Sequence, residues 1–240
     1  FSGGHGVLSL TEAIRHSCNI YFYHTGRRLG IERIAAYAQE LGFGSLTGVD
    51  LPGEKEGLVP TPEWSQRARK ASWFPGETIS VSIGQGPLVV TPLQVSVHTA
   101  LVANRGKKPV PHLLRFPAQS PEHNDNGGES SGGAARIKEE TFEKVIHGMW
   151  KCVNEGGTGH AASLQGFDVC GKTGSTQLIS REKSEKLRKD IKTHSWFTGF
   201  APKDNPRVVV TVLVEYGGLG GATAAPIARE LFDLFRSKYD

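Results

Sequence analysis

The chain has 240 residues, of which 38% are hydrophobic and 22% are charged, and this composition excludes a wholly disordered chain. The net charge, 28 − 24 = +4, is too small to argue for a nucleic-acid partner. No apolar run approaches the roughly 18 residues that a membrane span needs.

Helical signals dominate the first part of the chain. Ser9-Leu-Thr-Glu12 has the form of a capping box, and Ile14, Cys18 and Phe22 continue an apolar face at intervals of four. Between the later helices, residues 118–135 are polar and of low complexity, which predicts a flexible loop. Four segments carry helical spacing or helix-start residues: the one that begins near Leu10, Ile31–Leu41, Thr91 through Val102, and Lys138–Val153.

After the helix predicted over Lys138–Val153, the sequence pattern becomes typical of β-strands. The predicted strands are Phe167–Cys170 leading into Gly171, His194–Ala201, and Arg207–Tyr216. The last of these is almost continuously β-branched, which predicts burial on both faces. A closing helix is predicted over Ala222–Ser237, with Ile227, Leu231, Leu234 and Phe235 facing inward. Helices, then strands, then one helix predict an α+β fold with an antiparallel sheet.

Two short patterns suggest chemistry. Ser17-Cys18-Asn19 has the form S-x-N, and Lys172-Thr173-Gly174-Ser175 has the form K-[ST]-G. Each is weak alone, because a polar turn on a helix and a charged strand end explain them equally well. However, a cation beside the hydroxyls of Thr173, Ser175 and Thr176 suits a substrate carboxylate, and Gly174 lets a ligand lie close to the strand.

With their order and flanks, the two patterns resemble the active-site serine penicillin-recognising enzymes. The closer similarity is to class B penicillin-binding proteins of the elongation type, which are penicillin-binding protein 2-like. Further matches run along the chain: His5-Gly6, Ile20-Tyr-Phe-Tyr23, Leu41-Gly-Phe-Gly44, Thr47-Gly-Val-Asp-Leu-Pro52, Thr61-Pro-Glu-Trp64, Gly76-Glu-Thr78, Ile83-Gly-Gln-Gly86, Thr91-Pro-Leu-Gln94, Pro109–Leu114, Gly157-Thr-Gly159 and Trp196–Pro202.

The resemblance implies that residues 1–240 are the C-terminal portion of one transpeptidase domain, an antiparallel sheet with helices on its faces. The implied reaction is acyl transfer from D-Ala-D-Ala stem peptides during peptidoglycan cross-linking. Ser17 would relay a proton, Asn19 would hydrogen-bond the substrate's amide carbonyl, and Lys172 would supply positive potential for its carboxylate. The hydroxyls of Thr173 and Ser175 would bind that carboxylate, and the Ser175 backbone N–H would stabilise the oxyanion.

The family activates its nucleophile with S-x-x-K ahead of the S-x-N, and the sixteen residues before Ser17 contain none. Ser180-Arg-Glu-Lys183 has this form, but it follows Lys172 and lies in a charged stretch, so chance explains it better. We therefore expect the fold to be incomplete, without its first strands and nucleophile helix, and this fragment to be inactive alone. The Arg207–Tyr216 strand would then be an apolar edge that favours aggregation, domain swapping or dimerisation.

The resemblance requires no cofactor, but elongation-type members sometimes carry a structural zinc. His5 and Cys18 stand at the corresponding places, and imidazole and thiolate are suitable zinc ligands. A polar histidine and a small buried thiol are the alternative. Cys152 and Cys170 are expected to be buried small hydrophobes.

Two other functions stay open: a β-lactamase-type hydrolase, and a non-catalytic penicillin-sensor or binding module. For the main interpretation, the implied partners are the stem peptide or its lipid-linked precursor, β-lactams, a SEDS-type glycosyltransferase and a rod-shape scaffold protein. The implied location is the periplasm, in a protein anchored in the bacterial inner membrane.

Overall fold

The structure is a computed structural model that describes residues 4–114, 137–177 and 193–239. The predicted loop 118–135 and the Ser180–Lys183 pattern lie outside these residues. Contacts divide the chain into two compact units, one formed by Phe1–Phe22 with Lys144–Asp240 and the other by Tyr23–Glu143. The sequence of the second unit therefore interrupts that of the first.

Helices precede strands along the chain, as predicted. The α-helices are α1 (Leu10–Arg15), α2 (Asn19–Leu29), α3 (Ile31–Glu40), α4 (Pro62–Trp64), α5 (Pro75–Val81), α6 (Pro92–Ala103), α7 (Glu139–Asn154) and α8 (Ala224–Tyr239). A π-helical turn (Ser65–Arg69) follows α4, and a 3₁₀ turn (His160–Ala162) follows α7. The strands are β1 (Cys170–Thr176), β2 (His194–Ala201) and β3 (Val208–Val214).

The first unit is built on a sheet of three antiparallel strands in the order β1-β2-β3. Lys172 is paired with Thr198 of β2, and Thr198 is paired with Thr211 of β3. Because side chains alternate along a strand, Phe197, Val210 and Val212 share the opposite face. Helix α8 covers that face, where Phe197 and its neighbours form a buried apolar core.

On helix α8 the predicted inward face is wrong for Ile227, Leu231 and Leu234, whereas Phe235 is partly buried and packs against the core as predicted. Its buried residues are Ala224, Ala225, Ala228 and Phe232, whereas Ile227, Leu231 and Leu234 are 40%, 44% and 62% exposed. Small side chains let the helix backbone approach the sheet closely, so the core face carries alanines and one phenylalanine. The larger aliphatic residues are left on the outer face.

Strand β3 also differs from the prediction. Val210 and Val212 are buried, but the other five residues of the strand are half-buried, so burial is complete on only one face. Among the described residues β3 pairs only with β2 and is an edge strand. The expectation of an apolar edge therefore describes this sheet, and its effect on self-association stays a prediction.

The second unit has a helix, α6, at a buried position. Thr91 caps it by accepting a hydrogen bond from the Gln94 N–H at 3.1 Å. The Gln94 side chain is buried and donates to the carbonyls of Ser45 (2.8 Å) and Glu56 (2.7 Å), which ties two loop segments to the start of α6.

One titratable group of α6 is buried without full compensation. The His98 ring packs against Phe43 with 4.9 Å between centroids, and its Nδ1 has no hydrogen-bond partner among the described residues. Burial lowers the pKa of His98 to about 4, and a hydrogen bond with the Leu41 backbone acts weakly in the opposite direction. His98 is therefore neutral at pH 7.

Within the described ranges, no helix is both long enough and apolar enough to cross a membrane.

Candidate active site

Ser17 occupies an unusual backbone position between α1 and α2. The predicted helix does begin at Leu10, where Ser9 Oγ accepts from the Glu12 N–H at 3.3 Å, but it ends at Arg15. The Cys18 N–H donates to the Ala13 carbonyl at 2.9 Å, and Ser17 has φ = 52°. This is the hydrogen-bonding pattern of a Schellman C-cap, whose left-handed residue is usually glycine. A serine here places a hydroxyl at a strained corner of the backbone.

Asn19 follows at once as the first residue of α2 and is exposed. The helical region around Ser17 therefore contains a break, and Asn19 lies on the far side of it.

The structure brings the two predicted motifs together. Lys172 lies on β1, and its Nζ donates to Ser17 Oγ at 2.8 Å and to the Thr173 carbonyl at 2.9 Å. The two residues are 155 positions apart in the chain, so the fold has to create this contact. It is the most direct support for a shared site.

The electrostatics of Lys172 suit proton transfer. Burial lowers the pKa of its ammonium group, while the neighbouring Cys152 acts in the opposite direction and raises it. The side chain as a whole retains some surface exposure, but its charged end is surrounded by protein. A lysine with a lowered pKa releases and takes up a proton more readily near neutral pH than an exposed lysine does.

The hydroxyls beside Lys172 are held in place. Thr173 and Ser175 lie on the opposite face of β1 from Lys172, with Phe197 and Ser195 as register partners. Thr173 Oγ1 lies 2.7 Å from Thr158 Oγ1, and Ser175 Oγ accepts from the Gly220 N–H at 3.1 Å. These hydroxyls are partly exposed, and the hydrogen bonds hold their oxygen atoms in place.

The Gly220 backbone lies directly behind β1. A Cβ on this residue would lie 2.4 Å from the Gly174 carbonyl oxygen and 2.3 Å from that of Trp196, so only glycine fits.

At the end of β1, Thr176 is paired with His194. Gly174 and Thr176 thus continue the strand that presents Lys172, although no described contact assigns either a ligand.

A cluster of ion pairs fixes α1 to α7. Lys151 Nζ lies 2.6 Å from Glu12 Oε1 and 3.2 Å from Glu155 Oε2. The Arg15 guanidinium donates to the Glu155 carbonyl, and the Arg15 carbonyl accepts from the Thr158 N–H at 3.2 Å. Together, these contacts hold the end of α1, which lies two residues before Ser17. The members of the cluster were not predicted as site residues, because charged residues far apart in the sequence carry no signal that they will pair.

The predicted zinc pair does not form a complete metal site. Cys18 is buried, and the His5 ring stacks on His16 with 5.3 Å between centroids. Across the parts of the chain that the structure describes, no group of three or more His, Cys, Asp or Glu residues is arranged to hold a metal ion. These residues alone therefore do not fit tetrahedral zinc, and the zinc site stays a prediction.

Comparison with known proteins gives the class of the fold. The family model "Penicillin binding protein transpeptidase domain" matches residues 2–233, so the chain belongs to this family. The fold prediction is thereby confirmed: the described residues combine helices with a three-stranded antiparallel sheet.

Particular relatives place the chain more narrowly. It is 38% identical over 235 residues to the peptidoglycan D,D-transpeptidase MrdA of Acinetobacter baumannii, covering 96% of this chain and 35% of the relative. For MrdA of Haemophilus influenzae the identity is 37% over 250 residues, covering 97% and 37%. The chain thus spans about a third of the length of these curated relatives, and the predicted penicillin-binding protein 2-like identity is confirmed.

Solved structures support the same family assignment. Pseudomonas aeruginosa PBP2 in complex with WCK 5153 matches with a TM-score of 0.80 and 33% identity, covering 95% of this chain and 49% of that one. PBP2 of Helicobacter pylori in complex with MreC matches with a TM-score of 0.75 and 32% identity, covering 96% and 41%. A peptidoglycan synthase complex that coordinates polymerisation and crosslinking matches with a TM-score of 0.73 and 30% identity, covering 94% and 37%.

Proposed function

We propose that this chain carries the substrate-binding half of a peptidoglycan D,D-transpeptidase. The observation that carries the proposal is the hydrogen bond from Lys172 Nζ to Ser17 Oγ at 2.8 Å. It joins the two motifs, Ser17-Cys18-Asn19 and Lys172-Thr173-Gly174-Ser175, with which the family resemblance began. The family membership and the MrdA relatives support acyl transfer between stem peptides as the reaction.

Each residue has a defined part in this proposal. The Ser17 hydroxyl passes a proton between Lys172 and the amine that leaves or attacks, because it accepts from Nζ and can donate to that nitrogen. Lys172 attracts the terminal carboxylate of the donor peptide, and the hydroxyls of Thr173 and Ser175 bind it. Asn19 donates to the amide carbonyl of the donor. The nucleophilic serine belongs to the family's S-x-x-K motif, which precedes Ser17 in the family order.

Strand β1, along which the donor peptide is proposed to bind, also contributes backbone groups. The Ser175 N–H is one donor to the oxyanion that forms when the acyl carbonyl is attacked. A preorganised donor of this kind lowers the barrier by about 3 kcal/mol. Gly174 keeps this edge of β1 free of a side chain, so that the donor peptide can lie along the strand with Thr176 at its end.

The same relatives support a proposal for the setting of the reaction. We infer that the full-length protein is anchored in the inner membrane and places this domain in the periplasm. We further infer that it works with a SEDS-type glycosyltransferase and a rod-shape scaffold protein, in line with the MreC complex and the synthase complex among similar structures. Its ligands are the lipid-linked precursor, stem peptides and β-lactams.

A labelling experiment tests the activity. The full-length protein is incubated with fluorescent penicillin, and covalent labelling is measured over time. We expect labelling of the wild type, and at least a 100-fold slower rate for Lys172→Ala, because this change removes both proton transfer and positive charge. The matched control is Lys203→Ala, which removes a lysine that lies over the Trp150 ring at 5.3 Å and should leave the rate unchanged.

Three results would contradict the proposal. Unlabelled wild-type protein would favour the binding-module alternative, and sustained hydrolysis of nitrocefin would favour a β-lactamase. Equal labelling of wild type and Lys172→Ala would separate Lys172 from the reaction.

A further inference from the structure

Thr158 contacts both halves of the proposed site. It lies in the turn after α7, and its backbone N–H donates to the Arg15 carbonyl at 3.2 Å, two residues before Ser17. Its side-chain Oγ1 lies 2.7 Å from Thr173 Oγ1 and 3.4 Å from Cys152 Sγ. One residue therefore connects the end of α1 to the hydroxyl that is proposed to bind the substrate carboxylate.

The three side chains form a short hydrogen-bond chain in the order Cys152, Thr158 and Thr173. Cys152 is fully buried, Thr173 is partly exposed and Thr158 is exposed. Each of the three groups carries one proton and can also accept. The hydroxyl–hydroxyl distance of 2.7 Å is typical of an O–H···O hydrogen bond, whereas the 3.4 Å contact with sulfur is weaker.

Two proton arrangements are possible along this chain. If Thr173 donates to Thr158, then Thr158 donates to the sulfur, and Thr173 presents only lone pairs to a ligand. If the Cys152 thiol donates to Thr158, then Thr158 donates to Thr173, and the Thr173 proton is free to point outward. A carboxylate selects the second arrangement, because it accepts hydrogen bonds and is repelled by lone pairs.

We propose that Thr158 is a positioning residue for substrate recognition: supported by the Cys152 thiol, its hydroxyl donates to Thr173 Oγ1 and thereby directs the Thr173 proton to the terminal carboxylate of the acyl donor. This inference rests on the proposed function and deepens it. It separates the two roles of Thr158, since the backbone N–H supports α1 whatever the side chain is, and only the hydroxyl acts on Thr173.

The experiment compares two forms of one ligand in the full-length protein. Acylation rates are measured with benzylpenicillin and with its methyl ester, which lacks the carboxylate charge. Thr158→Val removes the hydroxyl at nearly constant volume, and Thr158→Ser keeps it. The matched control is Thr211→Val, because Thr211 Oγ1 also makes a short hydroxyl–hydroxyl contact, 2.8 Å from Thr198 Oγ1, but on β3.

We expect Thr158→Val to lower the acylation rate with benzylpenicillin about tenfold while the rate with the ester changes less than about twofold. Thr158→Ser and Thr211→Val should behave as wild type with both ligands. Because the proposed effect acts through Thr173, Thr158→Val should cause no further loss in a Thr173→Val background.

The possible failures are distinguishable. An equal loss with both ligands would mean that Thr158 is merely structural, and multiplied losses in the double variant would mean that it acts independently of Thr173. Either result, or wild-type behaviour of Thr158→Val, would overturn the inference while leaving the transpeptidase proposal intact. Absence of labelling in the wild type would overturn both.

Discussion

The backbone at Ser17 predicts an opposition between stability and activity. Ser17, the residue after the C-cap of α1, has φ = 52°, a conformation that costs an L-residue about 1–2 kcal/mol and glycine almost nothing. Ser17→Gly and Ser17→Ala both remove the hydroxyl that accepts from Lys172, so this loss cancels when the two variants are compared. Only the glycine variant relieves the backbone.

The difference between the variants can be estimated from these costs. Glycine has greater freedom in the unfolded chain, which offsets about 0.5–1 kcal/mol of the relief. We therefore expect Ser17→Gly to be more stable than Ser17→Ala by about 1 kcal/mol. For a domain of this size, the thermal midpoint should be higher by about 3 °C.

The assay has two readouts on the full-length protein. Differential scanning fluorimetry gives the thermal midpoint, and fluorescent penicillin gives the acylation rate, which we expect to fall at least about 100-fold in both variants. If Ser17→Ala were as stable as Ser17→Gly, the claim of strain at Ser17 would be wrong. If either variant kept wild-type acylation, the proton-transfer role of its hydroxyl would be wrong.

Three further predictions concern stability and completeness. Burial lowers the pKa of His98 from 6.5 to about 4, so the unfolded state binds more protons between these pH values, and the free energy of unfolding should fall by about 3 kcal/mol as the pH drops through this window. His98→Leu should flatten that part of the pH dependence of the thermal midpoint. An unchanged pH profile in this variant would contradict the prediction. Phe232→Ala should lower the free energy of unfolding, measured with a chemical denaturant, by about 3–5 kcal/mol, because the side chain is fully buried. Leu231→Ala, on the exposed face of α8, should lower it by less than about 1 kcal/mol. Equal losses of stability in the two variants would contradict the assigned face. A protein consisting of residues 1–240 alone should remain unlabelled by fluorescent penicillin, and labelling of it would place a competent nucleophile within this chain.

Local signals in the sequence predicted the elements that depend on them. Thr91-Pro92 marks the start of α6, and Thr91 indeed caps it. Helix α5 is not among the helices predicted from the sequence. In the structure Pro75 opens the helix, and the Glu77 carboxylate accepts from the Phe74 N–H at 3.0 Å. Proline is favoured at the first position of a helix. The start of α5 also depends on the cap from Glu77, which the composition of the segment does not reveal.

Non-local features could not be predicted in the same way. The face of α8 depends on how closely the helix approaches the sheet, which favours Ala224 and Ala228 over larger residues. In the site, the motifs of Ser17 and Lys172 single out these two residues, and the structure places them in contact, while their catalytic roles stay predictions. Thr158 was noticed only as part of a matching segment, since its bond to Thr173 depends on the turn between α7 and β1.

The contact between Ser17 and Lys172 has a consequence for biosynthesis. Residues 23–143 form a unit of their own and are inserted between the two parts that meet at the site. A ribosome must therefore complete this whole insertion, and then β1, before the lysine can reach its serine. A nascent chain halted before residue 172 therefore cannot yet contain the contact between Ser17 and Lys172.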